Sequence, residues 1–263
     1  MPPVSIAPPA ATGPVGALPR ERVPLPEART ERPPQRAQNA RRESGLPAPR
    51  PPAPLPVTRA ESAAPEVPPR APAEANDLEL ALYYHRAGDF ENALQHYRAL
   101  LQRNELNAQA HNNLGLLYQE KKLLAESARE LARAVLIEPG NVLAHNNYGV
   151  TLLLQGRADE AAAQFRTALT LDPRNVDALV NLALAQRDGR QPEVAKETLR
   201  GALTISPRSA AAHYNLAQLY DQTSEAARAI DHYRKFLEYA GTEYASRAAA
   251  VRARIEALSR IPE

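Results

Sequence analysis

From about Asp77 onward, apolar residues recur at the spacing of one helix face. Leu78, Leu82 and His85, then Phe90, Leu94, Tyr97 and Leu101, stand three or four positions apart. The two runs part at Ala87-Gly88-Asp89, where glycine supplies a turn. The same alternation continues down the chain. It predicts first helices near 76–87, 108–120, 142–155, 176–187 and 210–222, and second helices near 90–103, 124–137, 158–171, 192–205 and 225–239. Pro192 then falls in the first turn of its helix, where a missing amide hydrogen costs nothing. A final amphipathic run, 243–258, places Ala248, Val251, Ile255 and Leu258 on one face and Arg247, Arg252 and Arg254 toward the other.

The pattern has a fixed period of 34 residues. "HNNLGLLY" begins at His111, "HNNYGVTL" at His145, "LVNLALAQ" at Leu179 and "HYNLAQLY" at His213, with a weaker copy, "DLELALYY", at Asp77. Second halves keep the register, with small Ala93, Ser127, Ala161, Ala195 and Ala229 four residues before large Tyr97, Leu131, Phe165, Leu199 and Tyr233. Pro139, Pro173 and Pro207 also share one position, each after an apolar helical run that they terminate. Units of this length cannot bury an apolar face alone and must stack into one continuous core.

Position for position, residues 74–241 resemble the tetratricopeptide repeat family. A small residue in the first helix is present in all five copies, as Ala81, Gly115, Gly149, Ala183 and Ala217. The family's frequent Trp is absent, with Asp77, His111, His145, Leu179 and His213 in its place, and Glu105 and Gly241 replace the closing Pro in the outer copies. The resemblance implies an all-α, right-handed solenoid of five helix-turn-helix repeats, about 74–107, 108–141, 142–175, 176–209 and 210–241, with residues 242–259 as a capping helix. The Arg residues of that helix are expected to be solvated.

The front of the chain differs in kind. Twenty of the 25 Pro lie before residue 77, among ten Arg, no Lys and seven Glu, a net +3, while the rest carries 22 basic and 23 acidic residues. Residues 1–76 have too few aromatic and β-branched residues to offset the entropy of ordering, so they are expected to be a disordered or polyproline II arm. The bland reading is a semi-rigid spacer. The sharper one is a ligand for a Pro-binding module, since "PRPPAPLP" at Pro49–Pro56 contains PxxP.

The resemblance also implies that first helices line an inner, concave groove. Asn113, Asn147, Asn181 and Asn215 would form a ladder along it, flanked by Asn112, Asn146, Leu116, Val150, Val180, Leu184, Tyr214 and Gln218. A side-chain amide carries two donors and an acceptor in one plane, so it can grip a peptide backbone without reading its side chains. Copies stepping about 8–10 Å would meet roughly every third residue of an extended peptide. The ladder is similar to the repeat region of eukaryotic O-linked N-acetylglucosamine transferases, although only some twenty residues follow the last repeat, too few for a transferase domain. Asn at this position also serves to tie helices together, and both roles stand open. A clamp for a C-terminal carboxylate would want Lys at the inner positions, and Leu78, Leu82, Asn112, Leu116, Asn146 and Val150 offer none.

Little else points to chemistry. Copies of His one repeat apart lie too far from each other to share a zinc ion, whose ligands sit about 2 Å away. HExxH, GxSxG, P-loop and dinucleotide patterns are missing, and the 263 residues include no Cys. No cofactor and no catalytic role are therefore expected. The nearly neutral repeats offer no basic stripe for nucleic acid, and no window approaches the roughly twenty apolar residues of a membrane span. The expectation is a soluble, cytoplasmic scaffold or adaptor for a protein or peptide partner, with an Arg-rich, Lys-poor composition suggesting a bacterial source. Two alternatives remain: a cell-envelope assembly factor whose anchor lies upstream of this sequence, and a subunit presenting substrate to a glycosyltransferase or other enzyme.

Overall fold

The computed structural model describes Pro56 and residues 76–260. Every described residue belongs to one compact unit that begins after residue 47. The expected arm, 1–76, lies outside the described residues except for Pro56 and Asn76.

Eleven α-helices and no strand occur among the described residues. Five pairs come first: α1 (Asp77–Arg86) with α2 (Phe90–Arg103), α3 (Ala108–Glu120) with α4 (Leu124–Ile137), and α5 (Val142–Leu154) with α6 (Ala158–Leu171). Next are α7 (Val176–Asp188) with α8 (Pro192–Ile205), and α9 (Ala210–Gln222) with α10 (Ala226–Tyr239). A 3-10 turn, Thr242–Tyr244, leads into α11 (Ala245–Ser259). The all-α solenoid read from the sequence is the observed architecture, and predicted and observed bounds of the paired helices differ by at most a residue or so at either end.

Local chemistry explains the bounds. Asn76 opens α1 with a reciprocal box, its Oδ1 accepting from Glu79 N and its own N–H donating to Glu79 Oε2, both at 3.0 Å. Asn107, Asn141, Asn175 and Ser209, spaced one repeat apart, cap α3, α5, α7 and α9 by accepting from the third backbone N–H of each helix. Glu138, Asp172 and Ser206 are extended, as a residue before Pro must be, and this stops α4, α6 and α8. Asn104 adopts the same backbone before Glu105, so the stop survives the loss of Pro in the first unit.

The turn inside every pair places one residue in the left-handed region: Gly88, Lys122, Gly156, Arg190 and Ser224, with φ between 61° and 76°. Packing follows the small-large alternation. A Cβ built on Gly115 would lie 2.5 Å from Leu131 Cγ, and one on Gly149 would lie 2.5 Å from Phe165 Cε1. These glycines let α3 and α5 approach their own partners closely.

Each first helix packs on its own second helix, on the preceding second helix and on the neighbouring first helices, while second helices do not touch one another. The first helices therefore form an inner layer. At the C-terminal end, α11 buries Val251 and Leu258 in the cluster that contains Tyr214, Leu216, Tyr233 and Phe236. Arg252 is exposed as expected, but Arg254 is not part of a solvated face. It reaches back to α9, donating through Nε and a terminal nitrogen to the two oxygens of Asp221 at 2.8 and 2.6 Å.

Candidate functional site

The twelve positions singled out from the sequence all lie on α3, α5, α7 and α9, and all are buried. Asn113, Asn147, Asn181 and Asn215 are no more than 1% exposed. Two of them are tied across units: Asn147 Nδ2 donates to Asn112 Oδ1, and Asn181 Nδ2 to Asn146 Oδ1, each at 2.9 Å. Asn112 Nδ2 in turn donates to Asn113 Oδ1 at 3.2 Å. Each of these bonds fixes an amide plane.

Asn147 and Asn181 are tied to an Asn thirty-five residues earlier, and at that interval before Asn113 stands Leu78. Asn113 Nδ2 is buried with no acceptor among the described residues. A buried donor left unpaired costs on the order of 1–3 kcal/mol, so it marks a place where a carbonyl oxygen would be welcome.

Between the rungs run Leu116, Val150, Val180 and Leu184, all buried. At the far end Gln218 Nε2 donates to Tyr214 Oη at 3.2 Å, and the Arg247 guanidinium from α11 lies 5.7 Å from the Tyr214 ring centre. Burial pushes the Tyr214 phenol up, against the opposing hydrogen bond and charge of Arg247. Sequence reasoning missed Arg247 as a groove residue, because a basic residue on a terminal helix looks solvated until its neighbour is known. It also missed Gln119, whose Nε2 donates to Thr151 Oγ1 at 3.1 Å, with Ser127 Oγ 3.0 Å from the same hydroxyl.

The histidines at the position of the family's Trp have a different task. Nε2 of His111, His145 and His213 donates to the carbonyl six residues earlier, that of Glu105, Pro139 and Pro207, at 3.0 Å in each case. Their Nδ1 atoms meet Glu130, Gln164 and His232, nineteen residues later, at 2.7, 2.8 and 2.9 Å. In the first unit the pair is inverted, with Asp77 Oδ1 3.0 Å from His96 Nδ1. Each pair staples the entry loop and the second helix to the first. Among the described residues, no three His, Cys, Asp or Glu side chains gather as metal ligands.

The polar links between units differ from junction to junction. Between units two and three they are neutral amides and hydroxyls. Between units four and five, Lys196 Nζ, under the Tyr220 ring, donates to Glu193 at 2.9 Å and Glu225 at 2.6 Å, and Arg200 donates to Tyr220 Oη at 2.8 Å. Burial opposes the Lys196 charge, but the two carboxylates outweigh it and raise its pKa, while Glu225 is drawn down to about 2, chiefly by the Lys196 hydrogen bond.

Stacked antiparallel helix pairs with a continuous inner face define a helical-repeat protein. Residues 78–141, 124–176 and 179–248 match the tetratricopeptide repeat model, more than half of the chain, and the protein belongs to that family. A comparison with curated proteins finds no match. Among solved structures the chain is similar to PilW, described as a widely conserved type IV pilus biogenesis factor, at 22% identity and a TM-score of 0.60, over 71% of this chain and 94% of that one. It is also similar to PilF of Pseudomonas aeruginosa, at 24% identity and a TM-score of 0.58 over 69% and 90% of the two chains. MamA follows at 20% identity and 0.55, over 61% and 94%. At such identities the likeness is one of fold.

Proposed function

We propose that the protein is an interaction scaffold that holds an extended peptide, or a helix of a partner protein, along the inner face of its first helices, and that it acts by binding without a covalent step. The observation that carries this reading is the buried, unpaired Nδ2 of Asn113 at the head of an amide ladder interleaved with apolar side chains. A backbone carbonyl is the acceptor such a donor lacks, and the apolar positions between rungs would select side chains.

The two kinds of rung separate binding from architecture. Asn147→Ala strands a buried Asn112 acceptor and should destabilise by about 1–3 kcal/mol. Asn113→Leu removes the unpaired donor and also the acceptor that Asn112 Nδ2 uses, so it should cost a similar amount, while partner capture from native lysate, run well below the melting temperature, is lost. Capture by Asn113→Leu equal to wild type would move the binding surface to the outer helices or the arm, and the ladder would revert to architecture.

A second reading, a cell-envelope assembly factor, draws support from PilW, whose description names pilus biogenesis. No described helix is long and apolar enough to cross a membrane. Fractionation of native cells decides between this and a cytoplasmic scaffold.

A further inference from the structure

Second helices do not touch one another, so each neighbouring pair leaves an outer furrow floored by the first helix between them. The furrow between α2 and α4 is a groove of about 520 Å³, with apolar surface from Leu101, Leu114 and Tyr118 and with Arg98 of α2 and Arg129 of α4 on its walls. Its acidic groups are already engaged. Glu130 meets His111 Nδ1 at 2.7 Å, and Glu105 meets Arg133 at 3.2 Å. The two wall arginines are exposed and have no such partner. Arg98 reaches only the Tyr118 hydroxyl, at 3.5 Å, and no hydrogen bond or ion pair joins Arg129 to another described residue.

The repeats supply their own controls. Thirty-four residues on at each step, the wall positions of Arg98 and Arg129 become Ala132 with Ala163, Arg166 with Glu197, and Arg200 with Asp231. Wherever a later furrow keeps the first arginine, the chain places an acidic residue at the second position; the first furrow places another arginine there. The nearer source of a carboxylate is missing as well. Arg200 is ion-paired to Glu197, one turn before it on its own helix, and donates to Tyr220 Oη at 2.8 Å, whereas Gln95 stands one turn before Arg98.

We propose that the furrow between α2 and α4 is a second docking surface, which binds an acidic segment of a partner protein through Asp or Glu side chains on Arg98 and Arg129 and an apolar side chain on Leu101. It lies on the opposite side of the first helices from the inner face and does not depend on the groove reading above.

The chemistry of the walls selects the carboxylate. A guanidinium presents its N–H donors as a planar fork that a carboxylate meets with two parallel bonds. Two arginines without counterions are balanced by two such groups. A phosphate monoester, close to a dianion at neutral pH, would meet stronger repulsion from Glu105 and Glu130 on the same groove.

The test uses the full chain and a fluorescein-labelled peptide, Gly-Glu-Leu-Glu-Glu-Leu-Glu-Gly, beside its Gln-for-Glu counterpart, in an anisotropy titration at about 50 mM salt, where screening is weak. Wild type should bind the Glu peptide roughly tenfold or more tightly than the Gln peptide, and Arg98→Gln with Arg129→Gln should remove that preference. Arg129→Glu, which copies the Arg166 and Glu197 pairing of positions, should also remove it with the melting temperature unchanged or raised, while Arg166→Gln should bind as wild type. No preference in wild type, or a preference that survives Arg129→Glu, overturns the proposal. Loss of the preference in Asn113→Leu, folded at the assay temperature, would place the peptide on the inner face and overturn it too. A peptide with phosphoserine for Glu that binds roughly tenfold more tightly than the Glu peptide would assign the furrow to phosphate and overturn the carboxylate form.

Discussion

Gly149 meets the Phe165 ring so closely that a single methyl group has no room, which makes Gly149→Ala the most local test of the packing. The added Cβ must push a buried ring, and a loss of about 1–3 kcal/mol is expected from urea titration; an unchanged midpoint would show that the pair is loose. The histidine staples make a second prediction at this scale. The Nδ1 atoms of His213 and His232 share one hydrogen bond while His213 Nε2 donates to Pro207, an arrangement that forbids both rings being protonated at once. Burial and then the neighbouring His213 lower His232 to about 4, Asp231 opposing and Lys235 and Arg200 assisting, and burial lowers His213 as well. The unfolded chain titrates near 6.5, so it binds more protons than the folded one below that pH. Stability is therefore lost as pH falls from about 6.5 toward 4, by no more than about 3 kcal/mol from His232. His111 acts in the opposite sense: burial opposes its charge, but its hydrogen bonds to the Glu130 carboxylate and the Glu105 carbonyl raise its pKa, so that contribution is whole below the unfolded value and is lost as pH rises through the raised one. His232→Gln copies the His145–Gln164 pair and should flatten the acid limb of melting temperature against pH; an unaltered slope would place the titration elsewhere.

At the scale of the element, the turn within each pair was legible only where glycine announces it. Gly88 was read from the sequence as a turn residue and Gly156 carries the same signal, whereas Lys122, Arg190 and Ser224 adopt the same positive φ without it. A non-glycine residue in that region costs about 1–2 kcal/mol, partly offset by the flexibility glycine brings to the unfolded chain. Lys122→Gly should therefore stabilise by about 1 kcal/mol, read as a shift of the urea midpoint without change of slope. The helices themselves were plain in the sequence because a period of 3.6 and a unit of 34 residues reinforce each other. The caps at Asn107, Asn141, Asn175 and Ser209 were equally periodic but were hidden beside the more conspicuous Pro stops. The terminal helix is held by a feature no pattern could show, since Arg254 and Asp221 are thirty-three residues apart and only one of them is on the helix. Arg254→Ala leaves the Asp221 carboxylate, 3% exposed, without its cation and should cost about 3–5 kcal/mol. Amide exchange accelerated first in α11 would confirm where that cost falls.

At the scale of the whole molecule, units touch only their neighbours, so stability is a sum of units and junctions. The sequence displayed the ladder as one residue type at one position, so the four Asn could be picked out together. It concealed the bonds, because each joins two different repeat positions across a junction and is missing before Asn113, where Leu78 stands in for Asn. Amide exchange at equilibrium should accordingly show units two to four opening together and the outer units opening more readily. The junctions also respond to different agents. Neutral amides and hydroxyls join units two and three, indifferent to ions, whereas Lys196, Glu193 and Glu225 join units four and five by charge. Dissolved salt screens charges over a distance of about 10 Å at 0.1 M. The exposed Glu105–Arg133 pair between units one and two lies open to that screening, whereas Lys196, 2% exposed, is largely sheltered from it, so the first joint is the one its surroundings can slacken while the fourth stays firm.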